Sequence, residues 1–130
     1  MLDPRRFLDG CQVSIPAARY AVVKAKYVPD TFVAVFRDPP EITVVALQDI
    51  LTADWVIEAE RGWRLLSFRT VLPFELTGFL AVVAQALAKE NISIFALSAY
   101  STDHLLVKED KLALATRTLA KLGCTITDSA

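Results

Sequence analysis

Chemistry-bearing residues are scarce in this chain. One histidine, His104, and two cysteines, Cys11 and Cys124, stand among 130 residues. There is no Cys-x-x-Cys pair, no paired histidine and no Asp-rich loop, so the sequence offers no spaced set of metal ligands. The four glycines, Gly10, Gly62, Gly78 and Gly123, are scattered, which excludes a glycine-rich phosphate cradle. No Ser or Cys occupies a nucleophile elbow. Asp103 and His104 are neighbours in sequence, and such a pair cannot by itself supply triad geometry. His104 is expected in a solvated two-residue turn. Two cysteines do not make a disulfide framework, and their apolar surroundings mark them as small buried hydrophobes. The chain is therefore not expected to be an enzyme, nor to carry a cofactor or metal.

Charge of either sign is also lacking in excess. A formal net charge of −1 gives no electrostatic case for nucleic acid or an anionic membrane. Recognition of RNA on an open sheet face needs stacked aromatics in a basic surround. Phe95 and Tyr100 fall on opposite strand faces by the period-two rule. No apolar run approaches the roughly 20 residues of a membrane span. The opening Met-Leu-Asp-Pro-Arg-Arg-Phe-Leu-Asp-Gly has no uninterrupted apolar core, so no signal peptide is expected and a cytoplasmic location is.

Apolar residues, by contrast, are plentiful, at 54% against the usual 45–50% or so. Their spacing defines a chain in two parts, 1–62 and 63–130. Asp3-Pro4 suits a helix start and Gly10 a stop, while Ile15-Pro16 breaks to a new element. Tyr20 to Val28 reads as a strand, with Lys24 and Lys26 suggesting an exposed edge. Phe32–Phe36 and Glu41–Leu47 are two more strands, joined through Pro39-Pro40. Residues 49–60 are ambiguous between short helix and loop. After Arg61-Gly62 the pattern becomes strand 63–72, helix 78–90, strand 92–100, strand 105–108, helix 110–122 and strand 124–127. Gly123 suits the left-handed residue that ends the last helix. This βαββαβ order is the ferredoxin-like arrangement, an α+β fold with both helices on one face of a four-stranded antiparallel sheet.

The stretch 70–108 carries the functional signal. Phe79, Val82, Val83, Ala86 and Leu87 give the first helix one buried face. Thr77 is placed to cap it, and Gly78 lets the backbone be approached closely. Free N–H groups at a helix start accept phosphates and carboxylates. Ser98 to Asp103 brings hydroxyls and one carboxylate to the end of an apolar strand. The two segments read as the walls of one small-molecule site. Strands 63–72 and 92–100 are apolar on both sides, whereas a sheet facing water should alternate. A strand-rich first half or a second copy of the chain is expected to cover that face, so a homodimer is expected.

The residues Gly62-Trp63-Arg64, Phe74-Glu75-Leu76-Thr77-Gly78-Phe79-Leu80-Ala81 and 92–108 together resemble ACT domains, small regulatory modules that bind amino acids. They resemble most the small bacterial double-ACT proteins, related to the ACT units of CASTOR-type arginine sensors. Residues 41–45, Glu-Ile-Thr-Val-Val, extend the likeness weakly into the first half. The resemblance implies an incomplete, strand-rich ACT-like unit followed by an ACT domain, with a free amino acid held between units or between chains and an effector protein reading the signal. It implies a site at Leu72, Pro73, Phe74, Thr77, Gly78, Ser98, Tyr100, Thr102 and Asp103. Backbone groups around Leu72–Phe74 and Gly78 would take the main-chain carboxylate or amine. Asp103 would pair with a cation, either the α-ammonium or a basic side chain. The chain departs from the family pattern at Ala99 and Ser101. A ligand-free interaction module on the same fold is the alternative.

Overall fold

The computed structural model describes residues 2–129. Its elements in chain order are α1 (Pro4–Leu8), β1 (Gln12–Pro16), β2 (Tyr20–Ala25), β3 (Ala34–Asp38), β4 (Glu41–Leu47), β5 (Val56–Phe68), α2 (Phe79–Lys89), β6 (Phe95–Ser98), β7 (Asp103–Lys108), α3 (Leu112–Lys121) and β8 (Thr125–Ser129). Short 3-10 turns cover Gln48–Ile50 and Glu109–Lys111. The chain divides into two compact units, one of Met1–Ala17 with Arg64–Ala130 and one of Ala18–Trp63. The sequence pattern divides the chain between residues 62 and 63, whereas residues 2–17 pack with the C-terminal part.

In the larger unit the expected order β5-α2-β6-β7-α3-β8 is present. The fold is α+β and ferredoxin-like, with one addition that the pattern missed. Strand β1 lies between β5 and β8, giving the order β8-β1-β5-β7-β6, so the sheet of this unit has five strands rather than four. It is also not wholly antiparallel. β1 runs antiparallel to β5, pairing Val13 with Phe68, and parallel to β8, pairing Val13 with Ile126. Ile15-Pro16 had read as a break between elements. Proline is tolerated at a strand's end, where no ladder donor is needed, so Pro16 closes the strand and does not prevent it.

Alternation then decides which side chains meet the helices. Val13, Ile15, Leu66, Phe68, Leu105 and Val107 point to one face and join Phe79, Val83 and Leu87 of α2 and Ala115 and Leu119 of α3 in a single core. The four-residue spacing of Phe79, Val83 and Leu87 is one helical stripe. The Phe79 ring meets Phe68 edge-on at 5.5 Å, and each such fully buried side chain contributes about 1.5–3 kcal/mol. Cys11 and Cys124 belong to the same core as free thiols, as small buried hydrophobes would. The neighbouring thiols shift each other in opposite directions, Cys124 lowering Cys11 while Cys11, together with burial, raises Cys124. Asp3 caps α1 by accepting from the Arg5 amide at 3.0 Å, with Pro4 in the first turn.

The smaller unit is strand-rich, in the order β3-β4-β2-β5, with all neighbours antiparallel. Asp38 pairs with Glu41 across the Pro39-Pro40 turn. Ala21, Val23, Ala25, Val44, Ala46 and Trp55 form its core. The expectation that Lys24 and Lys26 mark an edge is corrected, because β2 is flanked on both sides. Lys24 lies opposite Thr43 on one neighbour and Glu58 on the other, and a cross-strand opposite charge is favourable. Lys26 donates to the Ala53 carbonyl at 3.2 Å. The ambiguous stretch resolves into the turn at Gln48–Ile50 and, from Val56, the start of β5.

Candidate functional site

Two loops at the ends of β5 and β6 are tied together by backbone. The first leaves β5 after Phe68 and reaches α2 at Gly78. The second is the turn between β6 and β7, closed by the Ala99 amide donating to the Thr102 carbonyl at 2.9 Å. The Leu72 amide donates to the Ser101 carbonyl at 2.7 Å, clipping one loop to the other. Within the first loop Leu76 donates to the Pro73 carbonyl at 3.0 Å, so proline sets a tight turn just before the helix.

The helix entrance differs from expectation. Gly78 itself is the capping residue, at φ +85°, and no side chain caps α2. Thr77 therefore does not cap the helix. A left-handed residue at this point needs glycine, because a Cβ would strain the backbone. The last turn of loop thus delivers the helix with its first N–H groups free of side-chain acceptors.

Facing this entrance, Ser98 and Asp103 are the last pair of the β6–β7 ladder. The Ser98 hydroxyl donates to the Asp103 carboxylate at 2.7 Å, which fixes the carboxylate's direction. Between the two loops lies a cavity of about 270 Å³. Leu72, Pro73, Phe74, Gly78, Ser98, Tyr100, Thr102 and Asp103 all line it, and Thr77 does not. Leu76, Phe79, Leu80, Ala99 and Ser101 line it as well. Leu76, Ala99 and Ser101 fall within the two segments expected to form the walls, Phe79 was expected only on the buried face of the helix, and Leu80 was given no role. Leu76 and Leu80 flank the Thr77-Gly78 entrance four residues apart, a spacing that could have flagged them.

The cavity mouth carries two aromatic rings in water. Phe74 is 72% and Tyr100 81% exposed, and the rings meet edge-on with centroids 4.7 Å apart. Such geometry is the favoured one for aromatic pairs.

His104 is not in a turn. It sits on β7, paired opposite Leu97, and is half-buried. Its Nε2 lies 3.0 Å from the Thr102 hydroxyl and its Nδ1 2.7 Å from the Ser67 hydroxyl. Burial, then the nearby Arg69 cation, hold its pKa below 6.5, and Asp103 opposes them. Arg69 is itself anchored, donating from Nε to the Ser14 hydroxyl at 2.9 Å. The cavity turn is thus connected through Thr102 and His104 to Ser67 on the neighbouring strand.

An α+β architecture with a small cavity beside a helix start is what these features define. Residues 58–121 match the family model of the ACT domain, and the fold is that of an ACT domain. A protein from Agobacterium tumefaciens superposes with a TM-score of 0.80 at 25% identity, covering 93% of this chain and 95% of that one. A Vibrio cholerae protein of unknown function, described as a possible transport protein, gives 0.73 at 20% identity, covering 92% and 94%. The regulatory subunit of aspartate kinase from Thermus thermophilus, in its ligand-free form, gives 0.60 at 11% identity, covering 85% and 95%. Among the described residues, no helix is long and apolar enough to cross a membrane.

Proposed function

We propose that this protein is a non-enzymatic sensor or regulator of the small double-ACT kind, akin to CASTOR-type sensors, that binds a free amino acid. The observation that carries the reading is the cavity, which gathers Asp103, the Gly78 helix entrance and the Ser98–Thr102 turn within one unit. An α-ammonium would meet the Asp103 carboxylate, and a main-chain carboxylate the free N–H groups that open α2. The ACT match and the likeness to an aspartate kinase regulatory subunit support regulation by a small molecule. In this reading the protein works in the cytoplasm as a homodimer, and an effector protein reads the bound state. The strand-rich unit of Ala18–Trp63 acts as the incomplete ACT-like part of the assembly.

A second reading draws on the exposed rings of Phe74 and Tyr100: an interaction module that uses the ACT fold for assembly alone. Thermal shift against the twenty amino acids separates the two. A ligand at about 100 times its dissociation constant stabilises by about 2.7 kcal/mol, a rise of a few degrees for a chain of this size. No rise with any amino acid at millimolar concentration overturns the sensor reading. Sedimentation at micromolar concentration tests the homodimer, which a clean monomer would rule out.

A further inference from the structure

We infer that the cavity selects amino acids whose side chains are uncharged and apolar, and rejects dicarboxylic ones. The inference rests on the amino-acid reading above and adds the class of ligand. Among the described residues lining the cavity, Asp103 is the one charged side chain, and no Lys, Arg or His lines it. Glu75, exposed in the same loop, adds a second negative charge nearby. One carboxylate can neutralise one ammonium, and the free backbone N–H groups at Gly78 can satisfy one main-chain carboxylate. Nothing remains to pair a further charge of either sign.

The two walls also differ in kind. The polar groups come from the turn, where Ser98, Thr102 and Asp103 stand together. The opposite wall of loop and helix start is apolar, through Leu72, Pro73, Leu76 and Leu80. With the ammonium at the turn and the carboxylate at the helix entrance, the ligand's side chain lies against that apolar wall and the Phe74 and Tyr100 rings at the mouth. Apolar surface removed from water there favours binding. A side-chain carboxylate in the same place would be desolvated, unpaired and close to Asp103, and like charges so placed are strongly unfavourable.

Calorimetric titration of the full chain with L-leucine, L-phenylalanine, L-glutamate and L-lysine tests this. Leucine or phenylalanine should bind at least about a hundredfold more tightly than glutamate, which corresponds to two factors of ten at 1.4 kcal/mol each. Lysine should fall between them, since its extra cation faces acids but has no dedicated partner. Phe74→Ala, a change at an exposed ring, should leave melting of the free protein unchanged and weaken the apolar ligands while leaving glutamate as weak as before. Glutamate binding as tightly as leucine or phenylalanine overturns the inference and leaves the amino-acid reading standing. In Asp103→Asn glutamate should lose less affinity than leucine, because that carboxylate both anchors the ammonium and repels a side-chain acid; equal losses would overturn its repelling role. Absence of binding by any of the twenty amino acids overturns both.

Discussion

Two backbone junctions in the larger unit are built alike and used differently. At one, the Gly10 amide donates to the Gly123 carbonyl and the Thr125 amide to the Cys11 carbonyl, both at 2.8 Å. At the other, Leu72 donates to Ser101 at 2.7 Å and Ala99 to Thr102 at 2.9 Å. The side chains diverge. Cys11 and Cys124 are buried in the core, whereas Phe74 and Tyr100 stand in water above a cavity. The first junction fills its surroundings with its own atoms. The second joins its two loops by one backbone bond, closes its turn with another, and leaves space between its walls. A preformed cavity on a fixed frame is what a small ligand needs, since little ordering remains to be done on binding.

The contrast can be broken most strongly through Asp103. Asp103→Asn keeps the shape and removes the charge, and losing one partner of a desolvated charge pair costs on the order of 2–5 kcal/mol. Amino-acid affinity should fall by tens- to thousands-fold in a titration, with melting of the free protein little changed. The opposite profile is expected at the buried junction. Gly123 sits at φ +105°, and a Cβ there would come 3.1 Å from the Asp9 Cα. Gly123→Val should therefore lower stability by about 1–3 kcal/mol in denaturant unfolding. A neutral result would mean that the buried junction is softer than the cavity frame. At the mouth, Phe74→Ala or Tyr100→Ala should change the free protein's stability by no more than about 0.5 kcal/mol, because the rings are already exposed. A larger loss would show that the mouth is also structural.

The smallest effect concerns His104. Its folded pKa lies below 6.5 because burial and Arg69 disfavour the imidazolium, with Asp103 opposing them. The unfolded chain therefore takes up this proton first as pH falls below 6.5. The stability contributed by neutral His104 is present above that value and is lost as pH falls through the folded pKa. His104→Gln should remove this part of the dependence, seen as a smaller drop in melting temperature between about pH 8 and about pH 5. An unchanged slope would detach His104 from the electrostatics of the cavity turn.

The parts of the fold legible in the sequence were those with strong periodic pattern. Helix α2 and the β5-to-β8 order followed from stripes such as Phe79, Val83 and Leu87, and Gly123 from the chemistry of a helix end. What escaped depended on tertiary partners. Val13-Ser14-Ile15 is too short to announce a strand, and Ser14 is buried between β5 and β8 with Arg69 donating to its hydroxyl. Lys24 looked like an edge residue because Glu58, its cross-strand neighbour, lies in a stretch with no clear pattern. His104 looked like a turn residue beside Asp103, whereas the chain reverses earlier, at residues 99–102. The cavity lining was legible as two segments, but Thr77 was not separable from Gly78 without the backbone angle at the helix start. Leu76 lay within the expected loop, whereas Leu80 was hidden by its resemblance to ordinary core.

The place of β1 has a consequence for how the protein is made. Gln12 pairs with Thr125, so a strand synthesised near the start waits for one that leaves the ribosome 113 residues later. At roughly 5–20 residues per second that interval is on the order of ten seconds. Throughout it Val13 and Ile15 lack the neighbour that will flank them, and bringing such distant segments together slows folding. During that wait β1 can pair with β5 on one side only, and its other edge stays open to whatever strand it meets first.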